Sequence, residues 1–172
     1  TILITAFGTH HMQAVADATR DMMREPLAKE RMVGDWYRLI HTSVRRTSAI
    51  AKSSDPSLGA FFAEDHANST KEISSLQKKD EALLATPAER EAFARIGEAR
   101  KRYTGSRDRI VALKKEGKLE EADEVLMKTF QPDAAAYQGI LNELLELQRR
   151  AIDAQAVRID EEFRGNRRVV LG

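Results

Sequence analysis

Apolar side chains recur at mixed three- and four-residue steps over four long stretches of this chain, with only short turn-forming clusters between them. That spacing puts the apolar residues on one stripe of an α-helix. No alternating polar–apolar run of the kind a half-buried strand needs competes with it. The four stretches therefore predict an all-α fold. Short loops between long helices force antiparallel neighbours, so the expected architecture is an up-down-up-down antiparallel four-helix bundle.

The first helix is expected from about Met12 to Lys52, with Val33, Trp36, Ile40, Val44 and Thr47 on its stripe and a kink or break at Pro26. Ser53-Ser54-Asp55-Pro56-Ser57 stops it. The second runs from about Leu58 to Leu84 along Phe62, His66, Ser69, Ile73, Leu76 and Asp80. Thr86, Pro87 and Glu89 read as a cap, a first-position proline and a capping box opening the third helix, which runs to Lys115 and closes on Gly117. The last region has a short piece from Leu119 to Phe130, a kink at Pro132, and a long helix to about Phe163.

The first and fourth helices exceed the middle two by roughly a dozen residues, or ~20 Å. In this topology the overhang falls at the end that holds both termini. Thr1–Phe7 and Val169–Leu171 are short apolar runs, far below the ~20 residues of a membrane span. Both are expected to be ends of longer hydrophobic segments that leave the bundle side by side. The expected division is 1–11 as the end of a first membrane span and linker, 12–164 as the bundle, and 165–172 as the approach to a second span.

Composition removes several function classes. Twenty-eight basic against 27 acidic residues give a formal charge of +1, so no general attraction to nucleic acid is expected. The chain has no cysteine, which excludes thiolate zinc sites and c-type haem attachment. No histidine has a glutamate three residues before it, so the di-iron bundle motif is missing. No P-loop, nucleophile–base pair or glycine-rich dinucleotide turn occurs. The expectation is a protein without catalysis, cofactor or metal.

The third helix carries the unusual chemistry. Arg100, Tyr103 and Arg107 fall within about 40° of one another around the helix. They continue the seam of Phe93 and Ile96, resumed by Ile110 and Lys114. Arginines in a core seam need a partner, because an unpaired buried charge is costly. Folding the chain about residue 86 brings His66, Ser69 and Thr70 of the second helix level with this trio. The layer is rich in donors and poor in carboxylates. Two guanidinium forks with hydroxyls from Tyr103, Thr70 and Ser69 suit a small anion with two or three carboxylates. Tyr137, on the inner stripe of the fourth helix, completes the candidate set. A second reading stays open at this point: the arginines extend to a solvated face, or pair with Glu98 or Asp108.

Almost the whole chain, about residues 5–168, resembles the four-helix-bundle sensor domain of bacterial methyl-accepting chemotaxis proteins. The resemblance lies in the apolar start before a long first helix with Pro26 and the run Leu27–Ile40, in Glu116-Gly117-Lys118-Leu119-Glu120-Glu121-Ala122 after the third helix, and in Tyr137–Gln148 of the fourth. It implies a receptor of the inner membrane with this domain in the periplasm, a homodimer through the first helices, and a signal passed by a small displacement of the fourth helix. Pockets of the family lie in the membrane-distal half, where the Arg100 layer falls, and members sensing citric-acid-cycle acids use arginines for the carboxylates. Amino-acid receptors of the family use first-helix arginines. Here Arg38, Arg45 and Arg46 are at the matching level, in a phase that does not point at the layer. The expected ligand is accordingly malate, succinate or citrate. The alternatives are the sensor domain of a two-component histidine kinase and an amino-acid-sensing chemoreceptor.

Overall fold

A computed structural model describes the backbone of residues 2–170 and the side chains of residues 12–165. The elements are α1 (Ile2–Lys52), α2 (Leu58–Phe61), α3 (Ala63–Glu81), α4 (Pro87–Lys115), α5 (Leu119–Val125), a π-helical turn (Leu126–Phe130) and α6 (Gln131–Val170). No strand occurs among the described residues. The expected all-α, antiparallel four-helix bundle is the fold found.

The chain divides into two compact units, one of Thr1–Arg31 with Leu147–Gly172 and one of Met32–Glu146. The first unit contains the two chain ends. Arg149 Nε donates to Glu30 Oε1 at 3.2 Å there, and Ile159 is buried. Met12, Leu27, Val157 and Phe163 of this unit remain exposed. The apolar terminal runs lie outside the residues whose side chains are described. No helix among the described residues is long and apolar enough to cross a membrane.

The second unit holds the core. Val33, Trp36, Ile40 and Ile50 of α1 pack with Phe93, Ile96, Tyr103 and Ile110 of α4 and with Tyr137, Leu141 and Leu144 of α6, all buried. Contacts between successive helices run in opposite directions along the chain. Ser74 and Gln77 of α3 meet Arg100, whereas His66, a few turns earlier, shares a cleft with Arg107. Arg95 pairs with Glu143, and Arg102 lies 3.9 Å from Asp133. α1 and α4 run the same way: Tyr103 meets Ser43 and Lys114 meets Ser53.

Local chemistry fixes the boundaries. Glu89 N donates to Thr86 Oγ1 at 3.1 Å and Thr86 N to Glu89 Oε2 at 3.0 Å, closing the expected capping box. Asp55 Oδ1 accepts from the amide and hydroxyl of Ser57 and turns the chain after α1. Gly117 has φ 74°, the left-handed conformation that lets Lys118 N reach back to Leu113 O at the end of α4.

Four expectations need correction. Pro26 does not break α1, which runs unbroken through it. The second helix is not continuous: it divides at Phe62, where ψ is 6°, into α2 and α3. The irregularity near Pro132 precedes the proline. Pro132 has no N–H to offer the carbonyl of Lys128, and the turn before it widens so that Gln131 N bonds Leu126 O, five residues back. The seam of α4 keeps Phe93, Ile96, Tyr103, Ile110 and Lys114 but not its two arginines. Ala99 and Ser106 are buried, while Arg100 and Arg107 are only partly so. Small side chains fill the inner positions and the longer arginines extend from beside them.

Candidate functional site

The inner face of α4 separates the candidate residues into two groups. Tyr103 and Tyr137 belong to the core. Tyr103 donates its hydroxyl to Ser43 Oγ at 2.7 Å and is only 2% exposed. Tyr137 accepts from Trp36 Nε1 at 2.8 Å and is fully buried. Burial pushes both phenols above their ordinary range. The tyrosine hydroxyls assigned to an anion from the sequence are thus engaged inside the bundle.

Arg100, Ser69, Thr70, His66 and Arg107 lie on the outer part of the α3–α4 seam. Arg100 directs Nη1 to Gln77 Oε1 and Nη2 to Ser74 Oγ, the latter at 2.8 Å. Its fork is held by α3 through neutral partners. Thr70 is half-buried, and its carbonyl accepts from Ser74 Oγ. Glu98 pairs with Lys101 rather than with either arginine.

His66 and Arg107 face one cleft, of about 380 Å³, within the 300–1,000 Å³ typical of ligand pockets. Gly59, Ala63, Val111 and Ala112 supply its small or aliphatic walls, and Asp108 and Lys115 complete its polar lining. Arg107 lies over the ring of Tyr103 at 5.9 Å, so the core tyrosine pinned by Ser43 also supports the arginine. Nε and Nη2 of Arg107 donate to Asp108 Oδ1 at 3.0 and 2.9 Å. This is one of the pairings the sequence left open.

Arg46 approaches α3 although its helical phase did not point there. It belongs to α1, is half-buried, and reaches Ser69 Oγ with Nη1 at 3.4 Å while lying 5.7 Å from the centre of the Phe62 ring. Its position, beside the buried Ser43, Thr47 and Ile50, puts it at the edge of the inner stripe. A long side chain there can turn towards α3, which a test of helical phase alone does not register.

His66 feels both arginines. Its Nε2 is buried without a hydrogen-bond partner. Burial, then the charges of Arg107 and Arg46, lower its pKa from 6.5 to about 4, with Asp108 and Asp65 opposing. At neutral pH the ring is uncharged. A small acceptor in this cleft would find the guanidinium of Arg107, the ammonium of Lys115 and the imidazole of His66, with Arg46 and Ser69 paired outside its lining. No three histidine, aspartate or glutamate side chains converge on a metal position among the described residues.

A search of curated proteins finds no match. Residues 1–156 match the four helix bundle sensory module for signal transduction. Because that match spans most of the sequence, and the described residues form helices and no strand, the chain belongs to this family of sensory modules.

Proposed function

We propose that this module is the periplasmic ligand-binding domain of a methyl-accepting chemotaxis receptor of the inner membrane, and that it binds a small di- or tricarboxylate such as malate, succinate or citrate. The residues assigned to the ligand are Arg107, His66 and Ser69, joined by Arg46, with Thr70 at the edge and Arg100 as a further cation along the same seam. One observation carries the reading: a cleft in a sensory bundle brings together a guanidinium and a buried, unpartnered imidazole nitrogen, with a second guanidinium nearby. Arg107 and Lys115 line the cleft against one carboxylate, Asp108, while Arg46 and Asp65 both act on His66 beside it. This basic lining complements a small carboxylate. In this reading the domain catalyses nothing. It works as a homodimer, with 1–11 and 165–172 leading to flanking membrane spans.

A signal requires the ligand to bind one conformation more tightly than another. The π-helical turn offers a route: Phe130 in it packs 5.5 Å from Tyr103, the ring beneath Arg107. Thermal unfolding with each acid tests the assignment. A ligand at a hundredfold excess over Kd stabilises by about 2.7 kcal/mol, a rise of several degrees in Tm for a domain of this size. Arg107→Ala and Arg46→Ala should remove most of that rise, and Arg100→Ala, whose side chain already has two partners, a smaller part. An acid-independent loss of stability in the first two variants, with no acid moving the wild type, retires the carboxylate reading.

A further inference from the structure

Neighbouring residues on a helix point about 100° apart and do not normally face each other. Arg107 and Asp108 nevertheless form an ion pair, with two donors of the arginine on a single carboxylate oxygen. The partners differ in how firmly they are held. The Arg107 side chain is 14% exposed and is backed by the Tyr103 ring, whereas Asp108 is 63% exposed. Both line the cleft. Asp108 has no other hydrogen-bond partner among the described residues. Its carboxylate can rotate into water and remain hydrated, while the guanidinium stays in place.

The geometry points to Asp108 as an internal competitor of the ligand: it occupies the donor edge of Arg107 in the free protein, and a ligand carboxylate binds by taking its place. This rests on the reading of the cleft as an anion site and adds what sets its sensitivity. Exchanging one carboxylate for another on the same guanidinium gains little by itself, and association costs translational and rotational freedom. A single carboxylate therefore has little to drive it onto Arg107. A diacid gains a second cation, for which the cleft itself offers Lys115 and the neighbouring α1 offers Arg46 beside Ser69. After displacement Asp108 remains beside the ligand, where it repels a further negative charge and would attract an ammonium group. Removing its charge should consequently tighten anions and weaken amino acids, and the sign of the change reports the ligand class.

Asp108→Asn is isosteric and exposed, so the fold is not at risk. Calorimetric titration of wild type and Asp108→Asn with succinate, sulfate and L-serine, together with the Arg107 Nε–H signal by NMR, tests the idea. The expected result is a three- to fivefold fall in the succinate and sulfate Kd of the variant, as befits a partly exposed ion pair. Succinate added to wild type should also move the Arg107 Nε–H signal away from its Asp108-bonded position. An unchanged or raised succinate Kd in Asp108→Asn overturns the competitor role and leaves the carboxylate reading standing. Serine binding that weakens in the variant, with no response to succinate in wild type, overturns the carboxylate reading instead. Sulfate then decides the role of Asp108 by itself: tighter sulfate binding in the variant supports it, and equal or absent binding in both proteins overturns it.

Discussion

Trp36 of α1 donates its indole N–H to the phenolic oxygen of Tyr137 of α6 at 2.8 Å, with both side chains fully buried. Phe93 packs edge-on to the indole at 6.2 Å, and Tyr103 lies 5.4 Å from Tyr137. Tyr137→Phe keeps the ring and leaves a buried donor without an acceptor. The expected cost is about 1–3 kcal/mol, because an orphaned buried N–H loses its hydration without compensation. Denaturant unfolding measures it. The succinate Kd should not change, since this hydroxyl lies in the core; a loss of binding at preserved stability would move Tyr137 into the site.

His66 makes the fold acid-sensitive. Its folded pKa of about 4 lies below the ordinary 6.5. Between those values the unfolded chain binds more protons than the native one, so stability is fully present above pH 6.5 and falls as pH drops towards 4. The ring is half-buried, and solvent screening holds the contribution to about 1–2 kcal/mol. His66→Gln should flatten the stability profile between pH 6.5 and 4 relative to wild type. Parallel profiles for the two proteins would show that the ring is not the acid-sensitive group.

Gly117→Ala should destabilise the domain by roughly 1 kcal/mol. Nothing lies within 4 Å of the added Cβ, so the penalty comes from φ 74° alone. Gly117→Asn should cost less, because asparagine tolerates the left-handed region better than alanine. Thermal unfolding of the pair checks the order.

The proposed homodimer can be probed at Tyr37. Trp36 is buried in the core, and its truncation should cost about 3–5 kcal/mol whatever the assembly. Tyr37 is half-buried and stacks on His41, with ring centres 6.5 Å apart. Tyr37→Ala should leave the monomer fold intact and weaken self-association, read by sedimentation velocity. A wild type that stays monomeric at high concentration, with and without succinate, removes the first-helix interface.

Helix type and order were legible because a 3.6-residue repeat tolerates no other regular structure, and because Thr86, Glu89 and Gly117 each mark a helix end by a specific hydrogen-bond or backbone requirement. The antiparallel register of α3 on α4 was also readable: a fold about residue 86 brings His66 opposite Arg107. The misplacing of Arg100 and Arg107 on α4 arose where the repeat carries no apolar signal. Ala99 and Ser106 are small enough to sit inside without announcing it, and an arginine next to such a position looks like its occupant. Arg46 escaped for a related reason, since its reach depends on a flexible side chain rather than on helical phase. The hydrogen bonds of Tyr103 and Tyr137 could not be read from the sequence, because their partners, Ser43 and Trp36, are 60 and 101 residues away.

The π-helical turn at Leu126–Phe130 amounts to one residue more than an α-helix of the same rise would use. Removing a residue from α6 between Gln131 and Leu141 would rotate everything beyond it by about 100° and carry Leu141 and Leu144 off the inner face. Removing the exposed Met127 should instead convert the wide turn to an ordinary one and leave the later residues in phase. The fold thus contains one position where its length is negotiable, and sequences of this architecture with one residue fewer should show their gap there.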